Sequence, residues 1–298
     1  MKPALRLSCL MLLSGLAPGV LAACPPQGWP RDALESLKKE HFKVEDSARR
    51  QALALGLLDC LADPDPRLRD GLAYEAYATW LRGDALTPET RRRLLSQLLV
   101  RLTPDAEGYG PPFAALVLSE VARTDRILAW MTPVQREDLV EIGSAHLASV
   151  RDYRGFDSAQ GWRHGVAHGA DLLMQLALNP ALDRAQLDRL LAAVATQVAP
   201  PGEHFYTYGE PERLARPVLF ALQRGLHDDA AWSAWLQGVV APAPLPEWSA
   251  AFASQAGLAK RHNTRAFLLA LYVGLAESGD EAMKARLPAV VAALRTLP

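Results

Sequence analysis

The chain reads as an all-α protein, built of helical hairpins in a HEAT-like or α-solenoid array, or an α/α assembly, with a single domain over residues 24–298. Three observations predict this. Nearly every segment carries apolar residues at helical spacing, without the alternating runs and Asn-Gly or Asp-Gly turns of β-hairpins. Thr87-Pro88 and Thr132-Pro133 have the form of helix starts, a threonine N-cap followed by a proline whose missing N–H costs nothing in the first turn. Helix-starting or linking prolines also recur at Pro66, Pro88, Pro111, Pro133, Pro180 and Pro201. Their beat is about 22 residues, one helix plus one loop, and two beats approach the ≈ 40–47 residues of HEAT-type repeats. The one long interval is divided by a break between Gly155 and Gly161, and no side-chain consensus follows the beat.

Residues 1–23 have the pattern of an export signal: Lys2 and Arg6, an apolar stretch over 7–16, a Pro18-Gly19 break and small residues before the cleavage point. Removing Cys9 with it leaves Cys24 and Cys60, an even pair that suggests a disulfide in an oxidising compartment. The Leu21-Ala22-Ala23-Cys24 box is also that of a lipoprotein, which would put a lipid anchor on Cys24, but the even cysteine count favours the disulfide. The expected location is periplasmic or secreted, or membrane-anchored under the lipoprotein alternative.

Along the remainder, Asp65 before Pro66 is placed to cap a helix, and two carboxylates there are too few for calcium, which takes six to eight oxygens. Asp70-Gly71 sits inside a helical pattern. Amphipathic helices are expected over 91–102, 113–130, 187–198 and 265–276. Residues 199–211 form an aromatic-rich loop opened by His204, and 241–246 an extended Pro/Ala linker. The 32 basic and 33 acidic side chains are nearly balanced, with no basic stripe, so nucleic acid is not an expected partner. After the leader no stretch approaches the 18 apolar residues of a transmembrane helix.

The most informative run is Gly161-Trp162-Arg163-His164-Gly165-Val166-Ala167-His168-Gly169-Ala170-Asp171. Read as one helix, it sets His164, His168 and Asp171 on one face and three glycines on a stripe beside them. Glycine costs about 1 kcal/mol against alanine in a helix, so close approach of another backbone is the expected reason for the stripe. Three readings of the face stand. His164 and His168 can grip a divalent metal with Asp171 as third ligand or orienting group, although position 165 lacks the glutamate of a zincin. They can be buried and satisfied by protein partners. Or they can line a ligand pocket without a cofactor, with Trp162 as an aromatic wall and Arg154, Arg163, Arg261 and Asn263 as donors suited to carboxylate or phosphate. That last reading places Arg154 and Asn263 near His164. Nucleophile elbows and phosphate-cradling glycine loops are absent. Ser144, His146, His41 and His227 read as surface or capping residues.

The passages 151–156 and 161–173 resemble a bacterial family catalogued as domain of unknown function 2785, as do Asp63-Pro64-Asp65-Pro66 to Arg69-Asp70 upstream and 263–272 downstream. The resemblance implies an all-helical domain and brings no activity, substrate or catalytic residue. The side chains then favour a binding or scaffold module taking a small molecule or an envelope protein in a polar pocket around the His-x3-His-x2-Asp helix. The alternative is a cell-envelope hydrolase using His164 or His168 as base or metal ligand, with Asp171 to orient it.

Overall fold

The computed structural model describes residues 24–298; the leader expected over 1–23 lies outside the described residues. The chain runs through α1 (Arg31–Lys39), α2 (Ser47–Gly56), a 3-10 turn (Leu57–Ala62), α3 (Pro66–Leu68), a π-helical turn (Arg69–Tyr74) and α4 (Glu75–Arg82). Then come α5 (Pro88–Val100), α6 (Gly110–Ile127), α7 (Pro133–Ser149) and a two-residue antiparallel pair, β1 (Phe156–Asp157) and β2 (Gly161–Trp162). After it follow α8 (Gly165–Ala177), α9 (Arg184–Val198), α10 (Glu210–Gln223) and α11 (Asp229–Val239). The chain ends with a 3-10 turn (Trp248–Ala253), α12 (Gln255–Ala276), α13 (Glu281–Lys284) and α14 (Leu287–Arg295).

The expected punctuation is present. Thr87 accepts from the Thr90 N–H, Thr132 forms a reciprocal capping box with Gln135, and Asp65 accepts from the Arg67 N–H. Where helix starts differ from the sequence expectation, first-turn prolines or a cap explain it. Helix α6 starts at Gly110 because Pro111 and Pro112 fit a first turn whose N–H groups need no partner. Helix α12 starts ten residues before the expected 265, where Ser254 accepts from the Gly257 N–H.

Packing follows chain order in two layers. Helices α4, α6, α8, α10 and α12 each pack on the next, and α7, α9 and α11 form a second layer continued from α5. This is the helical-hairpin array the periodicity implies. The apolar core is contiguous from Leu34 to Leu297. No helix among the described residues is long and apolar enough to cross a membrane.

Cys24 and Cys60 form a disulfide that ties the start of the described chain to the 3-10 turn after α2. Closing a loop of that length contributes about 3–4 kcal/mol under the chain-entropy estimate. The sulfur spent in this bond is the one a lipid thioether would need, so the structure favours the disulfide of the two alternatives.

The central run departs from the single helix expected of it. Helix α8 begins only at Gly165; Gly161 and Trp162 belong to β2, and His164 stands at the helix start with φ 56°. The cause is competition for backbone groups. The Arg163 N–H donates to the Gly155 carbonyl at 2.9 Å and the His164 N–H to the Arg154 carbonyl at 3.1 Å, which holds this segment extended against 154–155. Close approach explains two of the glycines, but to side chains and not to the other backbone expected, and Gly165 meets only ordinary contacts. A Cβ at Gly169 would sit 3.0 Å from Leu147 of α7, and one at Gly161 only 2.6 Å from Pro66. Two of the three glycines share the helix; the third serves the hairpin.

Candidate functional site

A cleft of about 560 Å³ opens across the layer of α4, α6, α8 and α10, with the β1–β2 hairpin and the 199–209 loop at its edge. The π turn supplies Asp70 and Tyr74, α4 Arg82, α6 Phe113 with Ser119 and Glu120, α8 His168 and Asp171, and α10 Arg213 and Arg216. His164 and Trp162 enter from the segment before α8, and Tyr208 from the loop.

The π turn sets one wall. An i→i+5 turn inserts one residue into the helical register, and such turns recur at functional sites. Here it sends Arg69 into the core, 0% exposed, while Asp70 and Tyr74 face the cleft. The Arg69 guanidinium lies over the Tyr109 ring at 4.2 Å and donates to the carbonyls of Asp63 at 2.9 Å, Gln160 at 2.8 Å and Trp162 at 3.2 Å. It therefore bolts the hairpin to the turn that precedes α3. Its Nε pairs with Asp70 Oδ1 at 2.7 Å. Burial nevertheless raises the Asp70 carboxyl, with Arg69 and the Trp162 N–H pulling the other way.

Across the cleft, buried carboxylates orient arginines. Glu120 accepts from Arg82 Nε at 3.1 and 3.0 Å on its two oxygens and also from Nη2. Asp171 accepts from Arg213 Nε at 2.6 Å and from its Nη2, with Arg216 3.9 Å away. Both carboxylates are nearly sealed, whereas Arg82 and the more distant Arg216 remain about half exposed and Arg213 is partly exposed, so positive charge faces the opening.

The histidines meet as the spacing implies, with ring centroids 5.5 Å apart. His164 Nε2 lies 3.1 Å from the Tyr208 carbonyl, which can only accept, so Nε2 carries the proton. Burial and then the Arg213 charge lower His164 to about 4, only partly opposed by that carbonyl. His168 lies edge-on to Phe113 at 5.1 Å and is pushed well below its ordinary value by burial, His164 and Arg213. Both rings are therefore neutral near pH 7. Asp171 orients an arginine and not an imidazole. Among the described residues, no group of three or more His, Cys, Asp or Glu side chains is placed to hold one metal ion.

Trp162 is where its aromatic-wall reading puts it. One face stacks on His164 at 4.7 Å, Tyr208 stands edge-on at 6.0 Å, and 36% of the residue stays exposed. The other expected donors are elsewhere. Arg154 lends only its carbonyl to His164, and its side chain turns away to Asp152. Arg163 is buried over Tyr109 at 4.1 Å and bonds Gln160 at 2.8 Å. Arg261 donates to the Pro298 carbonyl at 2.7 Å, far from the cleft in the chain's terminal packing. Asn263 is buried under the aromatic loop, accepting from the Tyr206 N–H at 2.9 Å and donating to the His204 carbonyl at 2.9 Å. It thus positions the loop that carries Tyr208 and does not line the cleft.

Three residues expected at the surface or at caps are also buried. His227 pairs with Asp188 at 2.7 Å beneath Trp232, and Ser144 and His146 lie inside, where burial lowers His146 to about 4. Ser144 and His146 lie on the inward face of α7, and His227 lies in the turn between α10 and α11, placements set by tertiary packing that local sequence does not reveal. The residues missed by sequence reasoning are Arg82, Glu120, Arg213, Arg216 and Tyr208. Ser119-Glu120 inside the apolar run of α6 is the one signal that pointed there, because a charge in a buried helix face needs a partner.

A helical two-layer array with a polar, aromatic-edged cleft is the class of protein that fold and site define. The family described as "Protein of unknown function (DUF2785)" matches residues 94–273, and the chain belongs to that family. The match carries α6, α8 and α10 but ends short of the Asp70–Arg82 wall and of the upstream passage that resembles the same family. No curated protein and no solved structure matches the chain.

Proposed function

We propose that the protein is an exported binding module, periplasmic or secreted, that takes a small polar organic molecule in the cleft around His164, Trp162 and Arg213. The observation that carries this reading is the convergence of oriented arginines on an exposed aromatic wall within one cavity of ligand size. The hydrolase reading has less support. A histidine held at about 4 is a weak base at neutral pH, and Asp171 is committed to Arg213.

Differential scanning fluorimetry against a library of small polar metabolites tests the proposal. A ligand at 100 times its Kd stabilises the folded state by about 2.7 kcal/mol. The expected result is at least one compound that raises the melting temperature of the native protein by several degrees and fails to do so for Trp162→Ala. Compounds that stabilise both proteins equally, or none that stabilises either, would contradict it.

A further inference from the structure

We propose that the ligand is an organic monoacid, with one carboxylate held by Arg216 and Arg213 and a flat body lying against Trp162. This rests on the binding reading above and names its chemistry. Charge in the cleft decides the sign. Its three carboxylates each have their own cation: Glu120 has Arg82, Asp171 has Arg213, and Asp70 has the buried Arg69. Arg216 is the one cation left over. Its nearest acidic partner among the described residues is Asp171 at 3.9 Å, already taken by Arg213, and its side chain is 48% exposed. One surplus guanidinium calls for one negative charge, and the two neutral histidines add none.

Geometry decides the group. Arg213 reaches Asp171 through Nε and Nη2, which fixes the plane of its fork and leaves Nη1 without a hydrogen bond among the described residues. A carboxylate set between Nη1 of Arg213 and the fork of Arg216 receives several charge-assisted bonds without displacing Asp171. A cationic ligand would have to draw a carboxylate from its arginine and leave a partly buried guanidinium unpaired. The body of the ligand is constrained by Trp162, backed on one face by His164 and braced by Phe156 at 5.1 Å, a rigid surface suited to a sugar ring or an aromatic ring.

Isothermal titration tests this with galacturonate, glucuronate, benzoate and indole-3-acetate as acids, galactose and benzamide as neutral counterparts, and benzylamine as a cation. The expected result is that at least one acid binds, its neutral counterpart binds at least tenfold more weakly, and Arg216→Gln loses at least tenfold for the acid alone. The uronates and the aromatic acids separate the two kinds of flat body. Trp162→Ala should also lose the acid, with Trp162→Phe retaining part of the affinity as a control on folding. Binding of galactose, benzamide or benzylamine that depends on Trp162 but not on Arg216 would overturn the monoacid while leaving the cleft reading intact. No acid binding at millimolar concentration overturns the monoacid, and if the metabolite library also fails, the cleft reading falls with it.

Discussion

Arg69→Met is expected to cost about 3–5 kcal/mol of folding stability, the range for removing one partner of a buried ion pair. The side chain is fully buried, and methionine fills much of its volume, so the loss reports on polar contacts and not on a void. The substitution strands three carbonyls, those of Asp63, Gln160 and Trp162, and leaves Asp70 without its cation. It also removes a guanidinium stacked between Tyr109 and Phe113. Arg69→Lys should recover little, because a single ammonium cannot span carbonyls from both the turn before α3 and the hairpin. Urea denaturation measures the loss, and hydrogen exchange at Arg163 and His164 should speed up as the hairpin loosens. A loss below about 1 kcal/mol would mean that solvent or a neighbouring group replaces these bonds.

The second large effect is expected at Asp125, near the end of α6. Its Oδ1 accepts from the N–H groups of Trp130 at 2.9 Å and Met131 at 2.7 Å, while Oδ2 accepts from Arg136 at 2.7 Å and Asn179 at 2.8 Å. One carboxylate thus joins α6 to the start of α7 and the end of α8. Asp125→Ala should cost about 3–5 kcal/mol, because it leaves a guanidinium and two backbone donors unsatisfied. Burial alone would raise this carboxyl, but the bonds from Arg136, Met131, Trp130 and Asn179 more than offset it and hold the carboxyl below its ordinary value. The sign for stability follows. A depressed folded value means the contribution is complete above the unfolded carboxyl value of about 3.9 and is lost as pH falls through the folded one. Urea midpoints measured between neutral and acid pH should therefore fall more steeply for the native protein than for Asp125→Ala. Parallel curves would remove Asp125 from the acid sensitivity.

The fold was legible because it is local: caps, proline spacing and helical periodicity act within a turn or two, and α5 and α7 begin where the Thr-Pro signals place them. The pairing of Cys24 with Cys60 was legible from parity. The site was legible only where its residues are close in sequence, as with Trp162, His164, His168 and Asp171. Arg213 meets Asp171 across 42 residues and Arg82 meets Glu120 across 38, separations at which spacing carries no information. The π turn at Arg69–Tyr74 was hidden for another reason. An i→i+5 turn inserts a residue with no mark of its own in the sequence, so periodicity does not reveal that Arg69 is buried while Asp70 faces the cleft. Arg154 shows the converse, since a backbone bond to His164 did not bring its side chain into the cleft, and Asn263 is held under the 199–209 loop instead.

Native mass spectrometry with elemental analysis, on protein purified from its own source, tests most directly whether the cleft binds an organic ligand without a metal. The expected spectrum shows an organic adduct that is released on mild activation and is missing from Trp162→Ala, with no stoichiometric divalent metal. A stoichiometric metal that disappears in His164→Ala, with no organic adduct, would contradict the account and return the two histidines to the role of ligands.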